Sequence, residues 1–240
     1  MAGRQAHTAP VPHAHRTPVL VELFTSEGCS DCPPADALLA RLDATQFVAG
    51  AHAIVMSEHV TYWDHQGWRD PFSLGDLDWR QQQYARQFSL RQVYTPQMVV
   101  DGEWQFVGSD AASLRRDVAR AAQAPKLNIV VADAHWSNRM VSFLVRGQSG
   151  SHASLTAVLA ESRTTSDVAR GENAGRTLQN VAVVRALKSF GSKAEGRPLQ
   201  ISLPGGNRAT VAQGPLRLIV FLTRRSDGRV IAVTERTLNQ

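Results

Sequence analysis

Apolar positions follow a helical period and a strand period in turn. Val19 to Thr25 is a run of β-branched, aliphatic and aromatic residues and predicts a buried strand. Pro33 and Pro34 suit a helix's first turn, where a missing N–H costs nothing, and Leu38, Leu39 and Leu42 follow at helical spacing. Ala35 to Leu42 therefore predicts a helix, and Ala53 to Ser57 a second strand. His59 to Leu74 is irregular, dense in aromatics and too long for a simple connection. Leu77, Gln81, Tyr84 and Phe88 restore the helical period over Asp76 to Phe88. Gln97–Val100 and Glu103–Val107 flank Asp101-Gly102, a pair that favours a type I′ hairpin turn. Ser109 or Asp110 can cap a third helix running through Leu114 and Val118 to Ala122.

Ala121 to Pro125 reads as a linker, and beyond it the period is that of strands. Leu127–Ala132, Met140–Val145, Leu155–Ala160, Leu178–Val184, Leu199–Leu203, Leu216–Thr223 and Arg229–Thr234 are separated by polar turns. That spacing predicts a mostly antiparallel, sandwich-like region. The expected organisation is a leader over residues 1–17, an α/β domain over 18–123 and a mostly β domain over 124–240.

The composition changes this picture little. A hydrophobic share of 43% supports an ordinary core. The net charge of +5 is spread, with Arg115-Arg116 and Arg224-Arg225 the densest pairs, so no nucleic-acid partner is expected. No apolar run approaches the roughly 20 residues of a membrane span, so no transmembrane segment is expected. Residues 1–17 carry His7, His13 and His15 and lack the apolar core of a signal peptide, which predicts a flexible leader. Oligomeric state is open.

The chain has only 2 cysteines, and they are neighbours in Gly28-Cys29-Ser30-Asp31-Cys32-Pro33-Pro34. A Cys-x-x-Cys pair between a strand and a helix can close as a disulfide and reopen as a dithiol. Unpaired N–H groups at a helix start stabilise a thiolate, whereas Asp31 opposes it. Cys29, expected to lie nearer the solvent, is the attacking thiolate in this reading, and Cys32 resolves the mixed disulfide.

The predicted order, β-α-β-α-β-β-α, is that of the thioredoxin fold. Three further runs stand with the cysteine motif: His59-Val60-Thr61-Tyr62-Trp63-Asp64, Gly67-Trp68-Arg69-Asp70-Pro71-Phe72 and Val93-Tyr94-Thr95-Pro96-Gln97-Met98-Val99-Val100-Asp101-Gly102. Together with Val21 to Asp36 and Arg170 to Leu178, they resemble a bacterial family of thioredoxin-like secreted proteins known as a domain of unknown function. Thr61 departs from the pattern, which has an aspartate there. The resemblance implies a periplasmic or secreted protein, although the leader leaves a cytoplasmic one open. It implies a cis Thr95-Pro96 bond beside the cysteines, where the backbone can pair with an extended peptide. Thioredoxins also carry a buried acid in the strand before the motif, and Glu22 is the candidate here. His59, Tyr62, Trp63, Asp64 and Trp68 are candidates for a substrate wall, or for aromatic filling between the two domains.

Three functions fit. A thiol–disulfide oxidoreductase would act on a protein or small-molecule disulfide and need no cofactor. A Cu(I)-handling protein would use the dithiol with His59 and Met98. A binding module would hold the cysteines as an inert disulfide. The second half has no cysteine, and its only candidate for reaching the pair is the polar loop Arg170 to Arg176, which also reads as a plain surface loop.

Overall fold

A computed structural model describes residues 16–147, 152–192, 196–204 and 214–238. His7, His13, His15 and the rest of the expected leader before Arg16 lie outside them, and β1 already begins at Thr17. The first half reads β1 (Thr17–Thr25), α1 (Pro33–Thr45), β2 (Ala51–His59), α2 (Gly75–Gln87), β3 (Gln97–Val100), β4 (Trp104–Val107) and α3 (Ala111–Ala121). The second half contains β5 (Ile129–Ser137), β6 (Met140–Gly147), β7 (Ala153–Asp167), β8 (Thr177–Gly191), β9 (Leu199–Ser202), β10 (Leu216–Arg224) and β11 (Val230–Leu238). The protein is mostly β.

Local chemistry accounts for the ends of these elements. Asp101 and Gly102 both take positive φ, 49° and 65°, as a type I′ turn between β3 and β4 requires. Asp110 caps α3 by accepting from the N–H groups of Ala112 and Ser113.

Eight strands form one mixed sheet in the order β11-β10-β7-β8-β2-β1-β3-β4, and β5, β6 and β9 form a second. The second-half strands β7, β8, β10 and β11 pair antiparallel with one another, but they share this sheet with the parallel pair β1 and β2, because β2 meets β8 in parallel at Ser57 and Val183. β10 and the inner parts of β7 and β8 are buried on both faces. Val158, Ile219 and Phe221 join the core that α1 and α3 cover, while Ala157, Leu159, Leu218, Val220 and Leu222 join a core beneath the three-stranded sheet. Burial on both faces explains why these stretches read as continuous apolar runs rather than alternations. No helix among the described residues is long and apolar enough to cross a membrane.

Candidate functional site

Thr25 and His59 end the parallel strands β1 and β2 and are paired in register. Paired residues share a sheet face, and here it is the face that α1 covers. Chemistry in parallel sheets collects beyond the carboxyl ends of strands. Four polar elements converge there: the Glu27–Cys32 loop after β1, the start of α1, the loop after β2, and the tip of the β7–β8 hairpin.

Cys29 and Cys32 form a disulfide, with Cα atoms 5.4 Å apart. Cys32, rather than Cys29, is the N-cap of α1, and its carbonyl accepts from the N–H groups of Ala35 and Asp36 at 2.9 and 3.1 Å. Both cysteines are buried, at 1% and 0% exposure, so Cys29 is not the exposed sulfur that its position predicts.

Beside them lies a buried acid–base cluster. Asp70 Oδ2 contacts His59 Nδ1 at 2.7 Å and accepts the Glu27 N–H at 2.8 Å. Trp68 Nε1 donates to Glu27 Oε2 at 3.0 Å, and Asp64 accepts the Asp70 N–H at 3.1 Å and the Ser73 hydroxyl at 2.8 Å. Asp36, one helical turn beyond Cys32, accepts from Thr25 Oγ1 at 2.8 Å. Burial pushes the Asp36 carboxyl up to about 7, against the opposing pull of His59 and Thr25. Burial depresses His59, but the Asp70 charge and hydrogen bond, with Glu27 and Asp36, outweigh it and hold the imidazole at about 9. Burial raises Asp70, but His59 and three hydrogen bonds prevail and leave it below the ordinary range.

These directions set a pH dependence. Between pH 4 and 7 folded Asp36 keeps a proton that the unfolded chain has released, so its contribution to stability falls as pH rises. His59 contributes fully below its unfolded value of 6.5 and loses that contribution as pH rises towards 9. Asp70 acts in the opposite sense, losing its contribution as pH falls below about 4. Asp36→Asn keeps an acceptor for Thr25 and removes the ionisation. It is expected to match the parent at pH 4 and to exceed its stability at pH 8 by on the order of several kcal/mol. Urea denaturation at the two pH values checks this. Equal stability changes at both would show that Asp36 does not titrate near 7.

The other predicted residues divide between two places. The Thr95-Pro96 bond is cis. A Cβ added at Gly108 would lie 3.0 Å from both Pro96 Cβ and Ala35 Cβ, so Pro96 sits against the start of α1. Trp63 Nε1 donates to Thr95 Oγ1 at 2.7 Å, and the Trp63 backbone and Cβ lie against Gly28. His59, Trp63, Asp64, Trp68, Thr95 and Pro96 are therefore brought together around the cysteines. Tyr62 lies at the edge of this group, its hydroxyl reaching Thr95 and donating to Gln81 Oε1 at 3.2 Å while its ring packs on the cluster of Phe24, Tyr84 and Val99. Trp63 packs on that same cluster within the first half, so neither ring fills a gap between the halves.

Glu22 lies elsewhere. It is on the opposite face of β1, fully buried, accepting from Arg80 Nε and Nη2 at 2.9 and 2.6 Å and from the Tyr84 hydroxyl at 2.8 Å. The acid near Cys32 is Asp36 instead. Thr61, the departure from the family pattern, donates its backbone N–H and its hydroxyl to Asp78. Met98 is in the main core, and His59 Nδ1 is engaged by Asp70. Among the described residues no group of three or more His, Cys, Asp and Glu is arranged to hold a metal ion.

The loop Arg170 to Arg176 is no plain surface loop. Asn173 is 1% exposed, and its Nδ2 donates to the carbonyls of both Glu27 and Cys29 at 2.9 Å. Glu172 accepts the Ser30 N–H at 3.1 Å, which holds its carboxyl below the ordinary range. Gly171, at φ 80°, lies against Trp68, where a Cβ would come within 3.1 Å of the tryptophan Cβ.

Over residues 20–223 the sequence matches DUF1223, a protein family of unknown function. The chain belongs to that family. No curated protein matches it. The crystal structure of an Agrobacterium tumefaciens protein is similar to this DUF1223 chain at a TM-score of 0.66 and 23% identity. The alignment covers 94% of this chain and 99% of that one, so the two share a fold. A Bacteroides uniformis β-glucuronidase 2 aligns at a TM-score of 0.17 and 12% identity, over 46% of this chain and 12% of the enzyme.

Proposed function

We propose that this DUF1223 protein is a thiol–disulfide oxidoreductase built on a thioredoxin-like first half. The observation that carries the reading is the Cys29–Cys32 disulfide at the start of α1 with the buried acid Asp36 one turn on. The strand order β2-β1-β3-β4, with one parallel pair followed by antiparallel ones, supports the thioredoxin-like part. The substrate is a protein or small-molecule thiol or disulfide, and a periplasmic or secreted location suits a protein whose cysteines are paired.

A substrate thiolate attacks Cys29 Sγ, the Cys29–Cys32 bond breaks, and its electron pair leaves on Cys32 Sγ. Asp36 in its acid form supplies the proton that Cys32 takes. A second substrate thiolate attacks the substrate sulfur of the mixed disulfide and releases Cys29 as a thiolate, which takes its proton from water. The substrate dithiol is oxidised to a disulfide and the pair is reduced to a dithiol; the reverse sequence reduces a substrate disulfide. An inert structural disulfide is the second reading, favoured by the burial of both cysteines.

Redox titration of the pair against glutathione separates the two. A potential well above about −300 mV is expected for an exchanging pair, and one below it identifies a structural bond.

A further inference from the structure

The cover over the disulfide is built as a separate arm. β7 and β8 form a hairpin of 15 residues per strand, but β10 pairs with β7 only as far as Glu161, and β2 meets β8 only at Val183. Beyond those points, apart from the Ser162 N–H that donates to the Pro215 carbonyl at 2.9 Å, the two strands form ladder pairs only with each other among the described residues. Thr164, Val168 and Asn180 are buried, but a ribbon with no third strand beside it is marginally stable, so it opens at lower cost than the core. Ala182 adopts φ 47°, left-handed backbone for a residue with a Cβ, where the ribbon joins the sheet. The tip is braced internally by the Val168 N–H to the Arg176 carbonyl at 2.9 Å, the Gly175 N–H to the Val168 carbonyl at 2.8 Å and Arg176 Nη1 to Asn173 Oδ1 at 3.0 Å. It therefore moves as a unit.

The tip grips the motif mainly through main-chain groups. Asn173 supplies two donors, to the carbonyls of Glu27 and Cys29, and Glu172 supplies an acceptor, to the Ser30 N–H. Donors and an acceptor along one edge are what an extended peptide backbone also offers. We propose that residues 168–176 are a lid that a polypeptide displaces: exchange at Cys29 proceeds from an open form in which an extended segment of the substrate protein takes the places of Asn173 and Glu172. The lid selects for chains that can make these bonds and shields the pair from small thiols. The partner rests on the oxidoreductase reading; the lid itself does not.

The test uses the full chain and its Asn173→Ala and Glu172→Ala variants. Reduction by dithiothreitol is timed by mass shift, thermal unfolding is followed in parallel, and a short unstructured cysteine peptide is the second probe. Asn173→Ala is expected to speed dithiothreitol reduction about tenfold or more, as the loss of two ordinary hydrogen bonds gives. Glu172→Ala, at an exposed side chain, is expected to speed it by a few-fold without changing the melting temperature.

Unchanged rates in both folded variants overturn the lid. So does acceleration confined to Asn173→Ala and matched by an equal rise in global unfolding, measured by amide exchange in β1. In the parent chain the peptide is expected to exceed dithiothreitol in rate at equal thiolate concentration, and the two variants to narrow that advantage. A peptide no faster than dithiothreitol overturns the polypeptide partner. If dithiothreitol rates respond to the variants while the peptide never forms an adduct, the lid stands and the oxidoreductase reading fails.

Discussion

Cys32→Ser is expected to leave the protein trapped as a covalent adduct with a model disulfide, while Cys29→Ser abolishes exchange outright. Burial does not rank the two sulfurs, since both are covered. Their surroundings do. Cys32 is the cap of α1, its carbonyl held by the first turn and Pro33 directly behind it, and Asp36 lies one turn below. Cys29 precedes the helix, and the hairpin tip sits on its carbonyl and on the next N–H. Opening the tip therefore uncovers Cys29 and leaves Cys32 enclosed. Without Cys32 no internal thiol can release the bound partner, so the adduct accumulates. Mass spectrometry after reaction with a model disulfide reads the result. An adduct on Cys29→Ser alone would reverse the two roles, and silence from both variants and the parent would leave only an inert disulfide.

The second large effect concerns Arg80, away from the cysteines. Its guanidinium sits between Glu22 and Glu58, both fully buried, and it stacks on the rings of Tyr84 and Phe221 at 5.2 Å. Burial raises Glu58 well above the ordinary range despite Arg80, so one cation serves two carboxyl groups. Arg80→Met fills the space but removes the counter-charge. A loss of about 3–5 kcal/mol is expected, as when one partner of a buried ion pair is deleted. For a chain of this size that corresponds to a fall in melting temperature of roughly 10 °C or more. The deficit should shrink on acidification from pH 8 to pH 5, because a protonated Glu58 needs no partner. Denaturation at both pH values checks it, and a pH-independent loss under 1 kcal/mol would mean that solvent screens the group.

Where an element is a continuous apolar run or carries local punctuation, the sequence is explicit: β1, the Asp101-Gly102 hairpin and the Asp110 cap follow directly from residue type. The outer halves of β7 and β8 are not legible this way. Residues such as Arg163, Thr165, Asp167, Thr177 and Gln179 are exposed, so hydrophobic patterning ends the strands near Ala160 and begins again near Leu178. Pairing between the strands, which leaves little trace in composition, holds the rest.

The same limit applies to the site. Cys29, Cys32, His59 and Thr95-Pro96 announce themselves by type and neighbours. Asp36 was legible in principle, since it shares the buried stripe of α1 with Leu39, but an acid in a helix's first turn is ordinarily solvated. Glu22 misleads because strand parity decides its neighbours, and it lies an odd number of positions from Thr25, hence on the other face. The loop Arg170 to Arg176 is a candidate from its polarity, but that Asn173 is the residue that bonds to the motif follows only from tertiary structure, as nothing local ties it there.

The distance between Asn173 and Cys29 also has a meaning in time. The covering residue follows the pair by 144 positions. At about 5–20 residues per second a ribosome takes roughly 7–30 seconds to cover that interval. During it the two thiols exist without their cover, open to any oxidant or exchange partner the nascent chain meets. The redox state of the pair can thus be written early and then closed in by the last third of the chain.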